Sequence, residues 1–478
     1  MPSKPNVWFV VASAVLVALA FPPINLALLV FVALVPWLVF LHSCDAKQVI
    51  KSGFVFGLIF WLTQLQWMIP FVNRWTHSAW LGFVPWLLMP VLMIWYFPAL
   101  AWIVHRAIQV QAWWAIPCAW GLIEWFRSTV PGVMFSWGLL AHPLAKYPIL
   151  IQTAAFGQEF LVSSWVVLVN VFVWMIFQQV HRRHVLQTMV ASLVMAMLSA
   201  ARYASPPPAT NQTVTLIQTG YDLAFSDPEI ARAKTRQSAL AGIDYAITSK
   251  ADWAVLPEDV DIKESDQPRV PVVFGALRKV NGKTLRSAVA KLGTEQQFAD
   301  KTRLVLFGEY VPFRDQLPFL NSFGLPSGDI TPGDRPSVLT VAGKKIGPLI
   351  CFEALFSDVA FEMTALQGAQ VLAVLSIDDW YQGSGAIEQL AMASIWRSVE
   401  AGVPTVRAGS LGVTQACDAR GNLLVRAEYG KSRALNQVLP IPATADGFEY
   451  RNWIWLPLLL GTATAFRRTK TNESTRAN

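Results

Sequence analysis

The sequence has few charged residues. Asp, Glu, Lys and Arg make up 14% of its 478 residues, whereas a soluble globular domain carries about 25%. Hydrophobic residues account for 54% of the chain, and the mean hydropathy is +0.40. This composition excludes an ordinary soluble protein and is typical of a chain with several membrane-spanning helices.

Cysteine is also scarce, with four in the whole chain: Cys44, Cys118, Cys351 and Cys417. No Cys-x-x-Cys or Cys/His spacing indicates a zinc site, and no glycine-rich phosphate-binding motif indicates a nucleotide. We therefore expect neither a metal nor another cofactor. The number of cysteines in the large domain allows one disulfide, between Cys351 and Cys417, although the motif around Cys351 requires a free thiol.

Long apolar runs are abundant in the first 205 residues. They lie at roughly 7–22, 25–42, 53–71, 79–104, 111–126, 160–179 and 185–202, and a shorter eighth candidate runs from Trp453 to Phe466. Most approach the roughly 20 residues that a helix needs to cross a bilayer. The 21 tryptophans often fall near the ends of these runs, as in interfacial aromatic belts. The sequence therefore predicts a polytopic α-helical membrane domain with about eight spans.

The basic residues of the short loops predict how the chain is oriented in the membrane, because Lys and Arg mark the cytoplasmic side. Much of the net charge of +7 lies in these loops and the tail, so it does not indicate nucleic-acid binding. If the N-terminus is cytoplasmic and the chain crosses the membrane eight times, the cytoplasmic side carries Lys4, Lys47, Lys51, Arg106, Arg182, Arg183 and the tail residues Arg467, Arg468 and Lys470. Arg74 is the clear exception among the short outer loops, and Arg127 and Lys146 lie in a longer outer stretch. We therefore expect residues 206–445 outside the cytoplasm.

A proline-rich linker, Ala204-Ser-Pro-Pro-Pro-Ala209, marks a change of pattern. Beyond it, β-type runs at 214–217, 253–256, 272–274, 303–306, 345–350 and 371–375 alternate with helical stretches at 227–249, 355–367 and 385–401. This alternation predicts an α/β layered domain. We expect an N-terminal membrane domain at 1–205, a catalytic domain at 206–445, and a C-terminal span with a basic cytoplasmic tail at 446–478.

Three residues of this domain suit acyl chemistry on a thiol. A thiol attacks as thiolate, so Cys351 needs a proton acceptor, and the Glu258 carboxylate can supply it. The negative charge that develops on the substrate oxygen requires a fixed cation and a backbone N–H, which Lys301 and Phe352 can provide. Taken singly, these residues also fit a buried small side chain, a turn residue and a surface charge. Their order within extended motifs favours the catalytic interpretation.

The order Glu, Lys, Cys, each near a β-rich apolar run, resembles the nitrilase superfamily, and its union with membrane spans resembles the apolipoprotein N-acyltransferase family. The matching motifs are Leu256-Pro-Glu258, Arg303-Leu-Val-Leu-Phe-Gly-Glu309 and Ile350-Cys-Phe-Glu353. The resemblance implies an α-β-β-α sandwich carried by the membrane domain of a bacterial inner-membrane protein, with the sandwich on the periplasmic side. It also implies that Glu309 positions the lysine and the base. Glu353 would shape the acyl pocket or receive the acceptor amine.

The membrane half carries further motifs of the family. Glu124-Trp-Phe-Arg127 and Phe135-Ser-Trp137 resemble its Glu-Trp-x-Arg and Phe-Pro-Trp patterns, and Asp378-Asp-Trp-Tyr381 followed by Arg397-x-x-Glu400 resembles another stretch. A carboxylate inside a span is costly unless it is paired. Arg127, one turn after Glu124, is the expected partner.

The family resemblance implies a membrane acyltransferase. Such an enzyme moves a phospholipid acyl chain through a thioester on Cys351 to the amine of a lipoprotein or peptide. Several positions depart from the family's pattern: Gln218-Thr-Gly220, Phe352, Ile377 and Gly409-Ser-Leu-Gly412. They keep open a second hypothesis, a conjugal transfer protein of the TraB type with amidase or acyl-transfer activity on another substrate. A third is a membrane scaffold with a decayed site, against which the intact Glu258, Lys301 and Cys351 argue.

Overall fold

A computed structural model describes residues 6–132, 134–306, 308–311, 314, 316, 329–447 and 453–466. The predictions for Lys4, Arg467, Arg468 and Lys470 lie outside these residues.

The first 203 residues are mainly helical. The helices are α1 (Trp8–Ala20), α2 (Val35–Ser43), α3 (Ala46–Gln64), α4 (Met68–Thr76), α5 (Phe83–Met93), α6 (Tyr96–Gln109), α7 (Ala115–Thr129), α8 (Pro148–Ile151), α9 (Ala154–Phe177) and α10 (Arg182–Tyr203), with 3-10 turns at Ala27–Phe31 and His142–Lys146. Each long apolar run of the sequence coincides with one or two of them. A capping box begins α3, since Asp45 accepts from Gln48 N at 2.8 Å and donates its own N–H to Gln48 Oε1 at 3.1 Å.

Three helical stretches are long and apolar enough to cross a membrane: Phe83–Gln109, Ala154–Phe177 and Arg182–Tyr203. The pair α3 and α4, bent by 51° at a short break, makes a fourth if it is one span. Trp8–Ala20, Ala27–Ser43 and Trp455–Phe466 are shorter apolar helices. By length and composition, the described residues thus support three or four spans, and the total of about eight stays a prediction.

The rest of the chain alternates strands and helices: β1 (Ala209–Gln218), α11 (Pro228–Thr248), β2 (Trp253–Val255), β3 (Val272–Val280), β4 (Lys283–Leu292), β5 (Glu295–Asp300), β6 (Leu339–Val341), β7 (Lys344–Ile350), α12 (Ser357–Phe361), β8 (Val371–Ser376), α13 (Ala386–Ala401), β9 (Thr405–Gly409), β10 (Gln415–Cys417), β11 (Leu423–Arg426), β12 (Arg433–Pro442) and α14 (Trp455–Ala463). The strands form two sheets of six, in the orders β12-β1-β2-β3-β4-β5 and β11-β10-β9-β8-β7-β6. In each sheet the central strands are parallel and the outer pairs are antiparallel.

The two sheets pack face to face between helices. Because successive side chains of a strand point to opposite faces, Leu216 and Ile350 join the core between the sheets, whereas Ile217 packs with α11 and Leu349 with α12 and α13. The domain is therefore the α/β layered domain that the sequence predicts, in the four-layered α-β-β-α form that the family resemblance implies. This arrangement brings the ends of β2, β5 and β7 together at the site.

One predicted strand is wrong. Residues 303–306 are not a strand, and a single bridge joins Leu306 to Tyr310. The backbone N–H of Arg303 donates to a Glu353 carboxylate oxygen at 3.1 Å, and that of Val305 donates to Glu309 at 2.8 Å. Carboxylates thus take the donors that a neighbouring strand would otherwise take.

Candidate active site

Cys351 follows directly on β7 and opens a 3-10 turn, Cys351–Leu355. Its φ is +54°, a left-handed conformation that is uncommon for residues other than glycine and concentrates at functional sites. The side chain is 8% exposed, and all four cysteines are free thiols. The turn thus holds a free thiol, nearly buried, at the carboxyl end of a central strand.

Glu258 lies three residues beyond β2 and is 3% exposed. Its carboxylate is 3.0 Å from Arg286 Nη1, on β4. β3 approaches so closely that a side chain at Gly275 would place its Cβ 2.7 Å from the Glu258 Cα. Glycine at 275 therefore leaves the space that Glu258 occupies. The sequence interpretation missed Arg286, whose signal was an isolated arginine among the small and apolar residues of 285–290.

Lys301 directly follows β5, and its side chain is 1% exposed. Its Nζ donates to Glu309 Oε1 at 2.7 Å, and the second Glu309 oxygen accepts from Val305 N at 2.8 Å. Arg286 Nε lies 3.5 Å from the same Glu309 carboxylate. Two carboxylates, Glu258 and Glu309, therefore face two cations, Arg286 and Lys301, and all four side chains are nearly buried.

Burial is the largest single influence on the pKa of each of the three predicted catalytic residues, although it does not decide the net direction for Lys301. It raises the pKa of the Cys351 thiol to about 12, with a further increase from Glu258 and an opposing effect of Lys301. Burial also raises the pKa of Glu258, against the pull of Arg286 and Lys301. For Lys301 burial favours the neutral amine, but Glu309 and Glu258 outweigh it and raise the pKa. The resting site thus holds a protonated thiol beside a charged lysine.

Glu353 connects the thiol turn to the lysine loop. One carboxylate oxygen accepts from Thr302 N at 2.7 Å and from Arg303 N at 3.1 Å, and the other accepts from Ile350 N at 3.0 Å. The residue is 2% exposed. Both oxygens are thus engaged with backbone on either side of the site, an arrangement that fixes Lys301 relative to Cys351.

Aromatic side chains of the helical N-terminal part, residues 6–203, lie against Phe352, the residue that follows the thiol. The Phe352 ring centre is 6.4 Å from that of Phe135 and 6.5 Å from that of Trp137, with which it is nearly parallel. Trp67 lies 5.3 Å from Trp137 and 5.2 Å from Tyr381. These five rings, here called the aromatic wall, form an apolar surface beside Cys351.

The predicted ion pair between Glu124 and Arg127 is wrong. In the described part of the chain, Arg127 donates to the carbonyls of Phe135 at 2.9 Å and Trp137 at 2.7 Å. Glu124 accepts from Leu140 N at 2.8 Å. Both side chains satisfy the backbone of the loop after α7, because that loop has no sheet or helix partner of its own. Arg127 thereby holds Phe135 and Trp137 in the aromatic wall.

A buried ionic cluster joins the two halves of the chain. Arg397 on α13 pairs with Glu159 on α9, and its Nη2 is 3.1 Å from Glu400. Glu400 accepts from Glu159 N at 3.0 Å and from Ser357 Oγ at 2.9 Å. Ser357 begins α12, just after the thiol turn. The cluster therefore ties the segment that follows the thiol turn to α9.

A cleft of about 890 Å³ also lies where the two halves meet, lined by Pro23 and Ile69 on one side and by Glu388 and Tyr429 on the other. The residues that line it do not include Glu258, Lys301 or Cys351. The candidate site is therefore identified by the buried charged side chains around Cys351 and not by this cleft. Within the described residues, no group of three or more His, Cys, Asp or Glu side chains is arranged to hold a metal ion.

The sequence is similar to two protein families along most of its length. Residues 13–172 match the apolipoprotein N-acyltransferase N-terminal domain, and residues 266–438 match the carbon-nitrogen hydrolase domain. A Geobacter metallireducens protein named apolipoprotein N-acyltransferase is 28% identical over 453 residues, 86% of this chain and 85% of the relative. Proteins of the same name from Sinorhizobium medicae (25% identical, 78% of this chain and 77% of the relative) and Pseudomonas aeruginosa (34%, 42% and 45%) also match. The chain is therefore similar to proteins named apolipoprotein N-acyltransferase over most of its length.

Proposed function

We propose that this protein is an acyltransferase of the bacterial inner membrane that transfers a phospholipid acyl chain, through a thioester on Cys351, to the N-terminal amine of a lipoprotein. The relatives named for this activity span most of the chain. The observation that carries the proposal is the setting of Cys351. The charges of Glu258 and Lys301 act on its buried thiol, and its neighbour Phe352 packs on aromatic side chains of the membrane half.

In the first step, the Glu258 carboxylate takes the thiol proton and the sulfur attacks the ester carbonyl carbon of the phospholipid. A C–S bond forms and the carbonyl electron pair moves onto oxygen. When this intermediate collapses, the C–O bond to the glycerol breaks, and the departing oxygen takes the proton from Glu258. Lysophospholipid leaves, and the acyl thioester remains on Cys351.

The intermediate's oxygen carries a full negative charge, which Lys301 is placed to stabilise. Its ammonium group is buried and held by Glu309 at 2.7 Å, so it needs no reorganisation during the reaction. The N–H of Phe352 is the second donor in this scheme, and the positive φ of Cys351 sets the direction of that peptide. Arg286, 3.0 Å from Glu258 and 3.5 Å from Glu309, keeps both carboxylates in place.

In the second step, the lipoprotein amine attacks the thioester carbon and gives a proton to Glu258. The C–S bond breaks, and the thiolate regains the proton. Water must be kept from the thioester throughout. The aromatic wall supplies an apolar surface for the acyl chain on the side of the membrane half, so that water has little access from there.

The domain arrangement is part of the proposal: a membrane domain at 1–205, a catalytic domain at 206–445 on the periplasmic side, and a C-terminal span, with about eight spans in all. Arg74, the exception to the charge rule, has a reason to be on that side. Its Nη2 lies 2.8 Å from Asp222, and its guanidinium carbon is 3.9 Å above the Phe225 ring. Arg74 thus joins α4 to the loop after β1.

The conjugal transfer hypothesis is not favoured, because the matched relatives carry the apolipoprotein N-acyltransferase name. Complementation tests the choice. We expect the chain to rescue cells depleted of their own N-acyltransferase and to yield lipoproteins with a third, amide-linked acyl chain, whereas the Cys351→Ala variant should not. A correctly inserted wild-type protein that leaves lipoproteins diacylated would contradict the proposed acceptor.

A further inference from the structure

A line of fully buried polar residues lies behind Cys351. Ser376, Asp378 and Arg407 are all 0% exposed. Ser376 ends β8, which pairs in parallel with β7 so that Leu375 lies opposite Ile350. Cys351 and Ser376, the residues that follow Ile350 and Leu375, are therefore neighbours. This register places the Ser376 hydroxyl beside the Cys351 thiol.

The contacts along this line are short and specific. Ser376 Oγ lies 3.6 Å from Cys351 Sγ and 2.7 Å from Asp378 Oδ1. Arg407 Nη2 is 2.5 Å and 2.6 Å from the two Asp378 oxygens. A side chain at Gly412 would place its Cβ 2.0 Å from Asp378 Oδ2. Tight packing thus fixes Asp378, whereas the Ser376 hydroxyl can rotate about its Cβ–Oγ bond without moving other heavy atoms.

A hydroxyl has one proton to donate and two lone pairs to accept with. While the thiol is protonated, the Ser376 proton is best placed toward the Asp378 oxygen at 2.7 Å, and the S–H can donate weakly to Ser376 Oγ. Once the thiol loses its proton, that lone pair would face a negative sulfur. Rotation of the hydroxyl removes this repulsion and creates a charge-assisted bond to the thiolate. Asp378 keeps Arg407 as its partner throughout.

We propose that Ser376 is a further catalytic residue, whose hydroxyl turns from Asp378 to Cys351 Sγ when Glu258 takes the thiol proton, and then donates a hydrogen bond to the thiolate. Asp378 and Arg407 are positioning residues that hold the hydroxyl ready. The inference rests on the proposed function of Cys351. The charged or titratable groups that face the thiol from other elements are Glu258, Lys301, Arg286, Asp378 and Tyr381. Ser376 differs from them in carrying a non-titrating hydroxyl 3.6 Å from the sulfur.

The test measures alkylation of Cys351 by iodoacetamide in the full-length, detergent-solubilised protein, read by mass spectrometry of the Cys351 peptide. The rate follows the thiolate fraction. Hydrogen bonds to charged groups are worth roughly 1.5–3 kcal/mol, offset in part by the weaker bonds of the resting thiol. We therefore expect Ser376→Ala to react about tenfold more slowly at each pH from about 7 to about 9, and acylation to slow in the same proportion.

A matched control is available in the same domain. Ser398 is also 0% exposed, and its Oγ lies 3.3 Å from the free thiol of Cys417. Ser398→Ala removes an equally buried hydroxyl and should leave Cys351 alkylation unchanged. Ser376→Thr keeps the hydroxyl and should stay close to the wild-type rate. Ser376→Gly removes the same hydroxyl and gives a second reading if the alanine variant does not fold.

Three results would overturn the inference: a wild-type alkylation rate in Ser376→Ala, a faster rate, or a loss in Ser376→Thr as large as in the alanine variant, which would indicate packing rather than hydrogen bonding. These failures differ from failure of the proposed function. If Cys351→Ala still transfers acyl chains, Cys351 is not the nucleophile, whatever the Ser376 variants do. If Cys351→Ala is inactive while Ser376→Ala behaves as wild type, the role of Ser376 alone is wrong.

Discussion

Replacing Lys301 by methionine removes the ammonium group beside the thiol and keeps an unbranched side chain of similar length. The lysine is 1% exposed and bonded to Glu309 at 2.7 Å, so water cannot replace its charge. Loss of one donor to a developing oxyanion costs about 10²–10³ in rate in other enzymes. We expect Lys301→Met to lower the single-turnover rate of Cys351 acylation by at least about 10²-fold, with little change in phospholipid binding.

The same substitution has a folding cost that must be separated from the rate. Breaking a buried ion pair from one side costs about 3–5 kcal/mol, although Arg286 still lies 3.5 Å from Glu309. Lys291→Met is the matched control, because Lys291 is 2% exposed and its Nζ donates to the carbonyls of Lys263 at 2.9 Å and Glu264 at 3.2 Å. It should lower the melting temperature and leave acylation near normal. A folded Lys301→Met protein that acylates as fast as Lys291→Met would refute the oxyanion role.

Three further substitutions test the surroundings of the thiol. Glu258→Gln should slow acylation as severely as Lys301→Met. The base acts as a carboxylate, and burial raises the pKa of Glu258, so the acylation rate of the wild type should fall as the pH drops through that raised pKa. Glu353→Gln should destabilise the protein by about 1–3 kcal/mol for each backbone donor left without its carboxylate, seen in thermal melts against Glu388→Gln, whose ion pair is half-exposed. Burial raises the pKa of Glu400 from 4.5 to about 8, so its contribution to stability is full below pH 4.5 and is lost as pH rises toward about 8. Glu400→Gln should flatten the pH dependence of the melting temperature across that window, and an unchanged slope would show that this carboxyl is already ionised there.

Long apolar runs predicted the apolar helices of the first 203 residues and the buried strands at 214–217 and 371–375, because such runs leave few alternatives. The hairpin of β4 and β5 was missed. Most of β5 is exposed, and its Glu295, Gln296 and Gln297 give no apolar alternation.

The site was partly readable from the sequence. Motifs predicted Glu258, Lys301 and Cys351, but the partners of a buried charge come from strands distant in sequence, so Arg286 could not be assigned. Spacing along one helix predicted the wrong partner for Glu124, since its carboxylate accepts from Trp120 Nε1 at 2.9 Å and from the Leu140 N–H beyond the end of the helix at 2.8 Å. Local periodicity carries no information about such contacts.

The most direct measurement of the central claim is the intact mass of the full-length protein after incubation with phospholipid. The account predicts one added acyl chain on Cys351, released by hydroxylamine and discharged when a lipoprotein peptide with a free N-terminal amine is added. The acylated peptide should appear in equal amount, and Cys351→Ala should carry no acyl group. An acyl group on Cys417, or an adduct on Cys351 that resists both hydroxylamine and the amine, would contradict it.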